Sequence, residues 1–513
     1  MFRRMTADEA AELVNDGICI CFNGQVRIAV AERFYQAIAD RFAKTGHPKG
    51  LHYIATSSYD GFNTFAPYQH DGLIAEITVA HYGAIASFAP AINNNEIEAY
   101  SLPQGVLALN LDAAAAGQPA FVSRIGLGTC YDPRYGKCGF NARSDKTFAE
   151  PITVDGNEYL LYKTIIPDLC VLRGTTCDPH GNITMEHEAG IMDPLTPAIA
   201  VHNNGGTVIV QVERFSDEYA DPHDVKIPGF LVDAVYEDPD QVMMDRYQYN
   251  PVFAGKERIP EDRLPDIVDE LLEENSRNRK KADLVIARRA ALEVREDFRI
   301  LNLGIGIPML LAYEAIKMGK MSKDTAITLE CGVGGGIPVG YNFGIVINPD
   351  IFMTQADMFR LYEGLGLDLT AVGALEIDRE GNVNVLQKGD KLIGVGGFNH
   401  VTEGARNVLV CSRFMVGSDI ALEDGKLSVK DGKLNKFCDR VEHICLNGRR
   451  TYKTGKRVLY ITERCVLRLA EDGLEIVEIA PGLDLERDVL AYLPFRPSVS
   501  KELKEMPLTC FET

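Results

Sequence analysis

An internal repeat is the feature that most constrains the fold of this chain of 513 residues. Residues 168–184 align with residues 368–384 without a gap, and Asp, Leu, Asp, Gly and Asn occupy equivalent positions in both. The same register continues downstream, because Val-Ile-Val at 208–210 falls on Val-Leu-Val at 408–410. Two homologous halves explain these matches better than chance does.

A charged segment separates the two halves. Residues 253–281 carry many charges and few of the β-branched runs that indicate strands. From residue 282 onward, apolar residues recur at helical spacing. The chain is also too long for one compact core, so its length favours two large domains. We predict an N-terminal lobe over residues 1–255, a linker over residues 256–281 and a C-terminal lobe over residues 282–513.

The fold class follows from the alternation of short β-branched runs with amphipathic stretches and glycine turns, which is typical of α/β proteins. Residues 16–24 and residues 298–306 each read as a strand that enters a glycine turn ahead of a helix. The sequence therefore predicts two similar α/β lobes fused in one chain. We expect the active-site cleft between them, since ligands favour such clefts.

Charge and composition bear on the possible partners. A formal net charge of -20 argues against a nucleic-acid surface, which requires clustered Lys and Arg. No apolar run approaches the roughly 20 residues of a membrane helix, and the N-terminus has no apolar signal region. We therefore expect a cytoplasmic protein that binds neither nucleic acid nor membrane. The 12 cysteines show no CxxC spacing, so we expect reduced thiols and no metal site.

Glu330 lies in the most unusual segment of the chain. It follows a run typical of a buried strand and precedes four glycines among residues 332–336. A carboxylate beside a glycine-rich turn is placed where backbone can approach a ligand closely. Alternatively, Glu330 ends a strand at the surface and the glycines only turn the chain, and the segment alone favours that alternative. It also lacks the Gly-Lys-[Ser/Thr] ending of a phosphate-binding loop.

Motifs along nearly the whole chain resemble those of class I coenzyme A transferases. In the second half the motifs follow the family's order and spacing. They are residues 302–308, Glu330 with its turn, residues 366–369, residues 376–384 and residues 394–398. The first half resembles the single-chain acetate or propionate CoA-transferases. Its motifs are residues 96–106, 126–129, 173–178, 200–206 and 227–233.

The resemblance implies a mechanism in which Glu330 is the covalent nucleophile. The glutamate attacks a short-chain acyl-CoA to give an acyl-glutamyl anhydride and CoA thiolate, which then forms a glutamyl-CoA thioester. A second carboxylic acid, such as acetate, runs these steps backwards. The exchange is nearly isoenergetic, so it needs neither ATP nor metal, and coenzyme A is a substrate rather than a cofactor. We expect Glu330 to be ionised near neutral pH, so that no general base is required.

The remaining site residues are also assigned by resemblance. Gln104 is a candidate donor to the oxyanion that each addition creates. Asn302, Gly396, Gly397 and Asn399 are candidate CoA contacts, and the two glycines leave room for pantetheine along the backbone. The expected partners are acyl-CoA and small carboxylic acids. The family further implies a homodimer or a homotetramer.

One loop departs from the family's pattern. Many relatives carry a glycine-rich turn after the first N-terminal strand, whereas residues 21–27, which include Phe22-Asn23-Gly24-Gln25, contain one glycine. This loop faces the acyl group if the two halves pair as proposed, so we expect a donor other than plain acetyl- or propionyl-CoA. Two other functions are left open: an acyl-CoA hydrolase on the same fold, and a non-catalytic acyl-CoA-binding protein, against which Glu330 argues.

Overall fold

Two central β-sheets organise the chain in the computed structural model, which describes residues 2–244, 247–277, 279–340, 343–423 and 426–511. The first half contains strands β1 (Arg3–Met5), β2 (Cys19–Phe22), β3 (Leu51–Ala55), β4 (Ile74–Val79), β5 (Glu98–Ser101), β6 (Ala120–Ser123), β7 (Ala149–Val154), β8 (Asn157–Lys163), β9 (Leu169–Cys177), β10 (Ile183–Thr184), β11 (Thr207–Phe215) and β12 (Ala234–Glu237). Its helices are α1 (Ala7–Ala11), α2 (Glu32–Thr45), α3 (Ala89–Asn93), α4 (Gln104–Ala115) and α5 (Leu195–Asn203).

The second half repeats this mixture of strands and helices. Its strands are β13 (Ile300–Leu303), β14 (Ala326–Thr328), β15 (Val333–Gly334), β16 (Ile337–Pro338), β17 (Val346–Ile347), β18 (Ile351–Phe352), β19 (Leu367–Val372), β20 (Glu376–Asp378), β21 (Val383–Asn384), β22 (Gln387–Lys388), β23 (Lys391–Leu392), β24 (Ala405–Cys411), β25 (Met415–Val416), β26 (Asp419–Glu423), β27 (Lys426–Lys430), β28 (Leu434–Asn435), β29 (Phe437–Cys438), β30 (Arg457–Ile461), β31 (Cys465–Ala470), β32 (Gly473–Ile479) and β33 (Ser498–Glu505). Its helices are α6 (Leu264–Ser276), α7 (Lys281–Ala291), α8 (Ile307–Lys317), α9 (Gln355–Glu363), α10 (Phe398–Gly404) and α11 (Gly448–Lys453).

Strand order shows that the two halves share one topology. The first sheet runs β12-β11-β9-β2-β3, and the second runs β30-β24-β19-β13-β14, with every neighbouring pair parallel in both. Parallel strands bring their carboxyl ends to one edge of a sheet, which is where α/β proteins bind ligands. The prediction of two similar α/β lobes is confirmed.

A duplicated aspartate turn explains why the repeat is visible in the sequence. The Asp178 carboxylate accepts hydrogen bonds from the backbone N–H of His180 and Asn182 at 2.8 and 2.9 Å. The Asp378 carboxylate accepts the equivalent bonds from Glu380 and Asn382, both at 3.0 Å. Each carboxylate thus satisfies backbone donors that the turn leaves without a partner.

The segment predicted as a linker contains helix α6, which packs against α8 through Val268 and Leu271 in a shared apolar cluster. The domain boundaries themselves stay a prediction. Within the described ranges, no helix is both long and apolar enough to cross a membrane.

A buried ion pair ties the first sheet to the loop between β10 and α5. The Arg173 guanidinium donates two hydrogen bonds to Glu188, at 2.8 and 2.9 Å, and a third to the Val30 carbonyl at 3.0 Å. Both side chains are almost fully buried. Such a pair is costly to break from one side, because the remaining charge stays buried without its counterion.

We expect Glu188→Ala to lower the free energy of unfolding by about 3–5 kcal/mol, because it strands the Arg173 charge. Urea unfolding followed by circular dichroism measures this change. The control is Asp297→Ala, which breaks the exposed pair with Arg295, where both groups remain in water and the effect is far smaller. Equal effects of the two substitutions would contradict this account of the Arg173 pair.

Candidate active site

Glu330 lies just beyond β14, in a tight turn at the carboxyl edge of the second sheet. The N–H of Leu329 donates to the Val333 carbonyl at 2.9 Å, and the N–H of Gly332 donates back to Leu329 at 3.0 Å. Gly332 has a φ of +93°, and a Cβ there would collide with the Met353 carbonyl. Only glycine therefore fits this position, and the turn that it permits fixes where the Glu330 side chain begins.

The Glu330 side chain points into a cavity of about 810 Å³ between the two lobes. Residues of the first half contribute one wall, and residues of the second half contribute the other. Five of the six predicted site residues line it, namely Glu330, Gln104, Asn302, Gly396 and Gly397. The first half also supplies Gln25, Val26, Arg27, Ser57, His81 and Ala84.

The loop over residues 394–397 closes the cavity by crossing from the second lobe onto the first. The N–H of Gly396 donates to the Ala80 carbonyl, and the N–H of Gln104 donates to the Gly396 carbonyl, both at 2.9 Å. A Cβ added to Gly397 would lie 2.8 Å from Glu330 Cγ and 3.0 Å from Oε1. The glycine thus leaves the space that the carboxylate occupies.

Gln104 begins helix α4 and faces the cavity from the first lobe. Its side chain is buried, and its Nε2 finds no acceptor among the described residues. A buried amide donor without an acceptor is costly. Placed in the same cavity as Glu330, this amide is suited to donate to negative charge that develops on a reacting carbonyl.

Asn302 is held by a network that the sequence analysis missed. Its Nδ2 donates to the Thr328 carbonyl at 3.0 Å and to the Tyr362 hydroxyl at 3.3 Å. The Tyr362 hydroxyl in turn donates to Thr328 Oγ1 at 2.9 Å. Tyr362 lies on α9, and no motif marked it, because an apolar position on an amphipathic helix is equally typical of core packing.

Burial changes the acid strength of the proposed nucleophile. Glu330 is 8% exposed, and its Oε2 accepts no hydrogen bond from the part of the chain that the structure describes. Burial raises the pKa of Glu330 to about 7, although its own backbone N–H and the Asn302 amide oppose the shift. The expectation of full ionisation near neutral pH is therefore corrected, since burial favours the protonated form of Glu330.

Asn399 is the one predicted site residue that the structure places outside this cavity. Its Nδ2 donates to the Cys445 carbonyl at 2.8 Å, and it borders a separate small cleft. His81 lines the cavity, but burial lowers its pKa to about 4, so it is neutral at physiological pH. Cys331 is fully buried, and burial raises the pKa of its thiol to about 12, which leaves it unreactive beside Glu330.

The loop of the first lobe that departs from the family's glycine-rich pattern forms a hairpin with a two-residue turn at the cavity. Gln25 and Ile28 exchange backbone hydrogen bonds at 3.1 and 2.9 Å, which leaves Val26 and Arg27 at the tip. Val26 has a φ of +56°. A left-handed backbone costs a side-chain-bearing residue about 1–2 kcal/mol, and a β-branched residue in this position is unusual.

Comparison of the sequence with known proteins shows to which family this chain belongs. The family model described as coenzyme A transferase matches residues 4–238. The caffeate CoA-transferase of Acetobacterium woodii is 35% identical over 99% of this chain and 97% of its own length. The chain belongs to the coenzyme A transferase family. The acetate CoA-transferase YdiF of Escherichia coli K12 is also 35% identical, over 98% of this chain and 94% of its own length.

Solved structures of a relative have the same fold as this CoA-transferase. The YdiF apoenzyme from Escherichia coli O157:H7 superposes with a TM-score of 0.90 at 33% identity, covering 100% of this chain and 96% of the other. A thioester complex of the same protein with CoA gives the same TM-score at 32% identity and the same coverage. These relatives are all transferases, so the hydrolase and the non-catalytic binding protein gain no support from them.

The raised pKa of Glu330 predicts a pH dependence with a defined sign. Since the pKa in the folded protein is about 7 and the ordinary value is 4.5, the folded CoA-transferase loses stability as pH rises from about 4.5 to about 7, and the loss is complete above that. Glu330→Gln removes that loss, so above pH 7 its free energy of unfolding should exceed that of the native protein by up to about 3 kcal/mol. Urea unfolding at pH 4, 6 and 8 tests this. An equal difference at all three values would refute the assigned pKa.

The contact between Gly397 and Glu330 predicts that Gly397→Ala displaces the carboxylate. A misplacement of this size should lower kcat/KM by about 100-fold, with little change in Tm. Gly373→Ala is the matched substitution, because Gly373 lines the same cavity and its added Cβ meets no heavy atom within 4 Å. Gly373→Ala should retain at least ten times the kcat/KM of Gly397→Ala. Similar losses in both variants would mean that any added volume in the cavity is harmful.

Proposed function

We propose that this enzyme transfers coenzyme A from a short-chain acyl-CoA to a free carboxylic acid through a covalent thioester on Glu330. The observation that carries this proposal is the placement of the Glu330 carboxyl. It is buried between the lobes, has an oxygen without a partner among the described residues, and lies against Gly397. A carboxylate is the side chain that can form both an anhydride and a thioester.

The first half-reaction begins when a Glu330 oxygen attacks the carbonyl carbon of the acyl-CoA. The C–S bond breaks, the CoA thiolate leaves with the electron pair, and an acyl-glutamyl anhydride remains. The thiolate then attacks the glutamyl carbonyl, and the first carboxylate leaves with the electrons of the C–O bond. The second acid repeats these steps in reverse, so that no net proton, phosphate or redox equivalent is consumed.

The surrounding groups fit these steps. The Gln104 amide stabilises the oxyanion of each tetrahedral intermediate, and Asn302 holds the glutamyl group in place. The backbone at Gly396 and Gly397 lets the pantetheine arm approach Glu330. The positive charge of Arg27 on the cavity wall favours entry of a carboxylate into a protein of net charge -20.

Burial of the site also favours transfer over hydrolysis. Water that reached a glutamyl-CoA thioester would hydrolyse it and release free CoA, so that no acyl-CoA of the second acid would form. The 394–397 loop covers Glu330 and leaves it 8% exposed. A covered thioester retains its CoA until an acid arrives, which is what a transferase requires.

Support for the covalent intermediate comes from the relative whose solved structure is a thioester complex with CoA. The names of the relatives differ in the acid, acetate in one and caffeate in another, so we leave the acyl group to experiment. Assembly as a homodimer or homotetramer, and a cytoplasmic location, are further expectations of the family resemblance.

The covalent step predicts a mass change on one peptide. Acyl-CoAs supplied without an acceptor acid should leave a CoA adduct on Glu330, which hydroxylamine cleaves and mass spectrometry locates. Glu330→Gln should lose the adduct and lower kcat by more than about 10³-fold. Cys331→Ala is the control for the neighbouring thiol and should keep the adduct. An adduct on any other residue, or none with every donor tried, would overturn the proposed nucleophile.

A further inference from the structure

The hairpin at residues 25–28 carries an inference that rests on the proposed function and extends it to acyl specificity. Its two central residues, Val26 and Arg27, line the cavity that holds Glu330. Of the two, Val26 has the positive φ and Arg27 does not. That combination matches a type II′ turn, whose first central position strongly favours glycine.

The hairpin is fixed against the nucleophile segment of the other lobe. Ile28 is fully buried, and its side chain fills the space beside Gly344, where an added Cβ would collide with it. An added Cβ on Gly190 would lie 3.4 Å from both Ile28 and Val333. The hairpin tip is therefore held beside the turn that carries Glu330, and the side chain at position 26 has little freedom to move away.

The turn itself does not need a valine. Glycine would adopt the same backbone without strain and would keep both hydrogen bonds between Gln25 and Ile28. Strained residues persist where the surroundings enforce them, and they cluster at ligand sites. The branched side chain of Val26 therefore has its effect in the cavity rather than in the turn.

The cavity walls differ in what they offer to a substrate. Apart from Asn302 and Glu330, the second-lobe wall is lined by apolar residues and glycines, which suit an extended pantetheine arm. It includes residues 372–375, Val385, residues 393–398 and Val401. The first-lobe wall carries the hairpin tip and Ala84, together with the polar side chains of Ser57, His81 and Gln104. With the pantetheine along the second-lobe wall and its thioester at Glu330, the acyl group is left to face the first-lobe wall.

We propose that Val26 is a specificity-determining residue that closes the acyl end of the cavity and restricts the enzyme to acyl groups of a few carbons. Its two methyl groups occupy volume that a longer chain requires. A glycine at this position opens that volume and removes the strain of the left-handed backbone at once. Selectivity and stability are therefore coupled in this turn.

The test compares kcat/KM for acetyl-, butyryl- and hexanoyl-CoA with one acceptor acid. Val26→Gly should raise the ratio of hexanoyl-CoA to acetyl-CoA by at least about tenfold, the size of effect that one or two methyl groups have in an apolar pocket. Val26→Ala should raise the ratio in the same direction while keeping the strained backbone. Val26→Ile should lower it. Val26→Gly should also raise the Tm.

Leu365→Gly is the matched control. Leu365 also has a positive φ, of +64°, but it is 43% exposed and lies outside the cavity. Its substitution should raise the Tm and leave the acyl-CoA ratio unchanged. If the ratio of hexanoyl-CoA to acetyl-CoA is unchanged in both Val26→Gly and Val26→Ala, and the native enzyme still forms the adduct on Glu330, the proposal for Val26 is overturned but the proposed function is not. Loss of Glu330 labelling in the native enzyme would instead refute the proposed function.

Discussion

The candidate active site depends on a backbone contact between the two lobes. The 394–397 loop leaves the second lobe and exchanges hydrogen bonds with Ala80 and Gln104 of the first. This contact brings Gln104, the glycine pair and the carboxylate of Glu330 to one cavity. Each strand order by itself places a loop at a sheet edge. It is the crossing of one loop onto the other sheet that turns two edges into a single site.

The cost of this arrangement falls on Glu330. A carboxylate that is withdrawn from water loses its solvation, and its pKa rises because few donors replace the water. Glu330 Oε2 and Gln104 Nε2 are among the buried polar atoms that find no partner in the described part of the chain, and the proposed reaction uses both of these groups. In the proposed reaction, the substrate supplies the contacts that these two groups lack.

The sequence predicts the frame of this protein better than its chemistry. The repeat at Asp178 and Asp378 is recognisable in the sequence because each aspartate accepts hydrogen bonds from equivalent backbone donors. The spacing between the aspartate and the residues of its turn is therefore the same in both halves. Glu330 could be singled out beside its glycines, but its role came from resemblance, since a strand-end glutamate is ordinary on its own. No sequence pattern identified Tyr362 as part of the site, because its hydrogen bond to Asn302 joins elements that are far apart in sequence.

Two further expectations show what a sequence leaves out. Glu330 was expected to be ionised, and the burial that shifts its pKa depends on a loop more than 60 residues away. Asn399 was grouped with the glycines that precede it, yet the start of α10 turns its amide towards Cys445. Conversely, the departure of residues 21–27 from the family's glycine-rich pattern did draw attention to this loop, although the positive φ of Val26 is known only from the structure.

The fusion of the two lobes has a consequence for how the site assembles. Gln104 and Glu330 belong to different halves, so in two separate chains their meeting would depend on protein concentration. A covalent connection replaces that dependence with a fixed effective concentration, which short connections hold in the millimolar range. Dilution therefore cannot separate the two walls of the cavity, and each polypeptide carries both parts of its own candidate site.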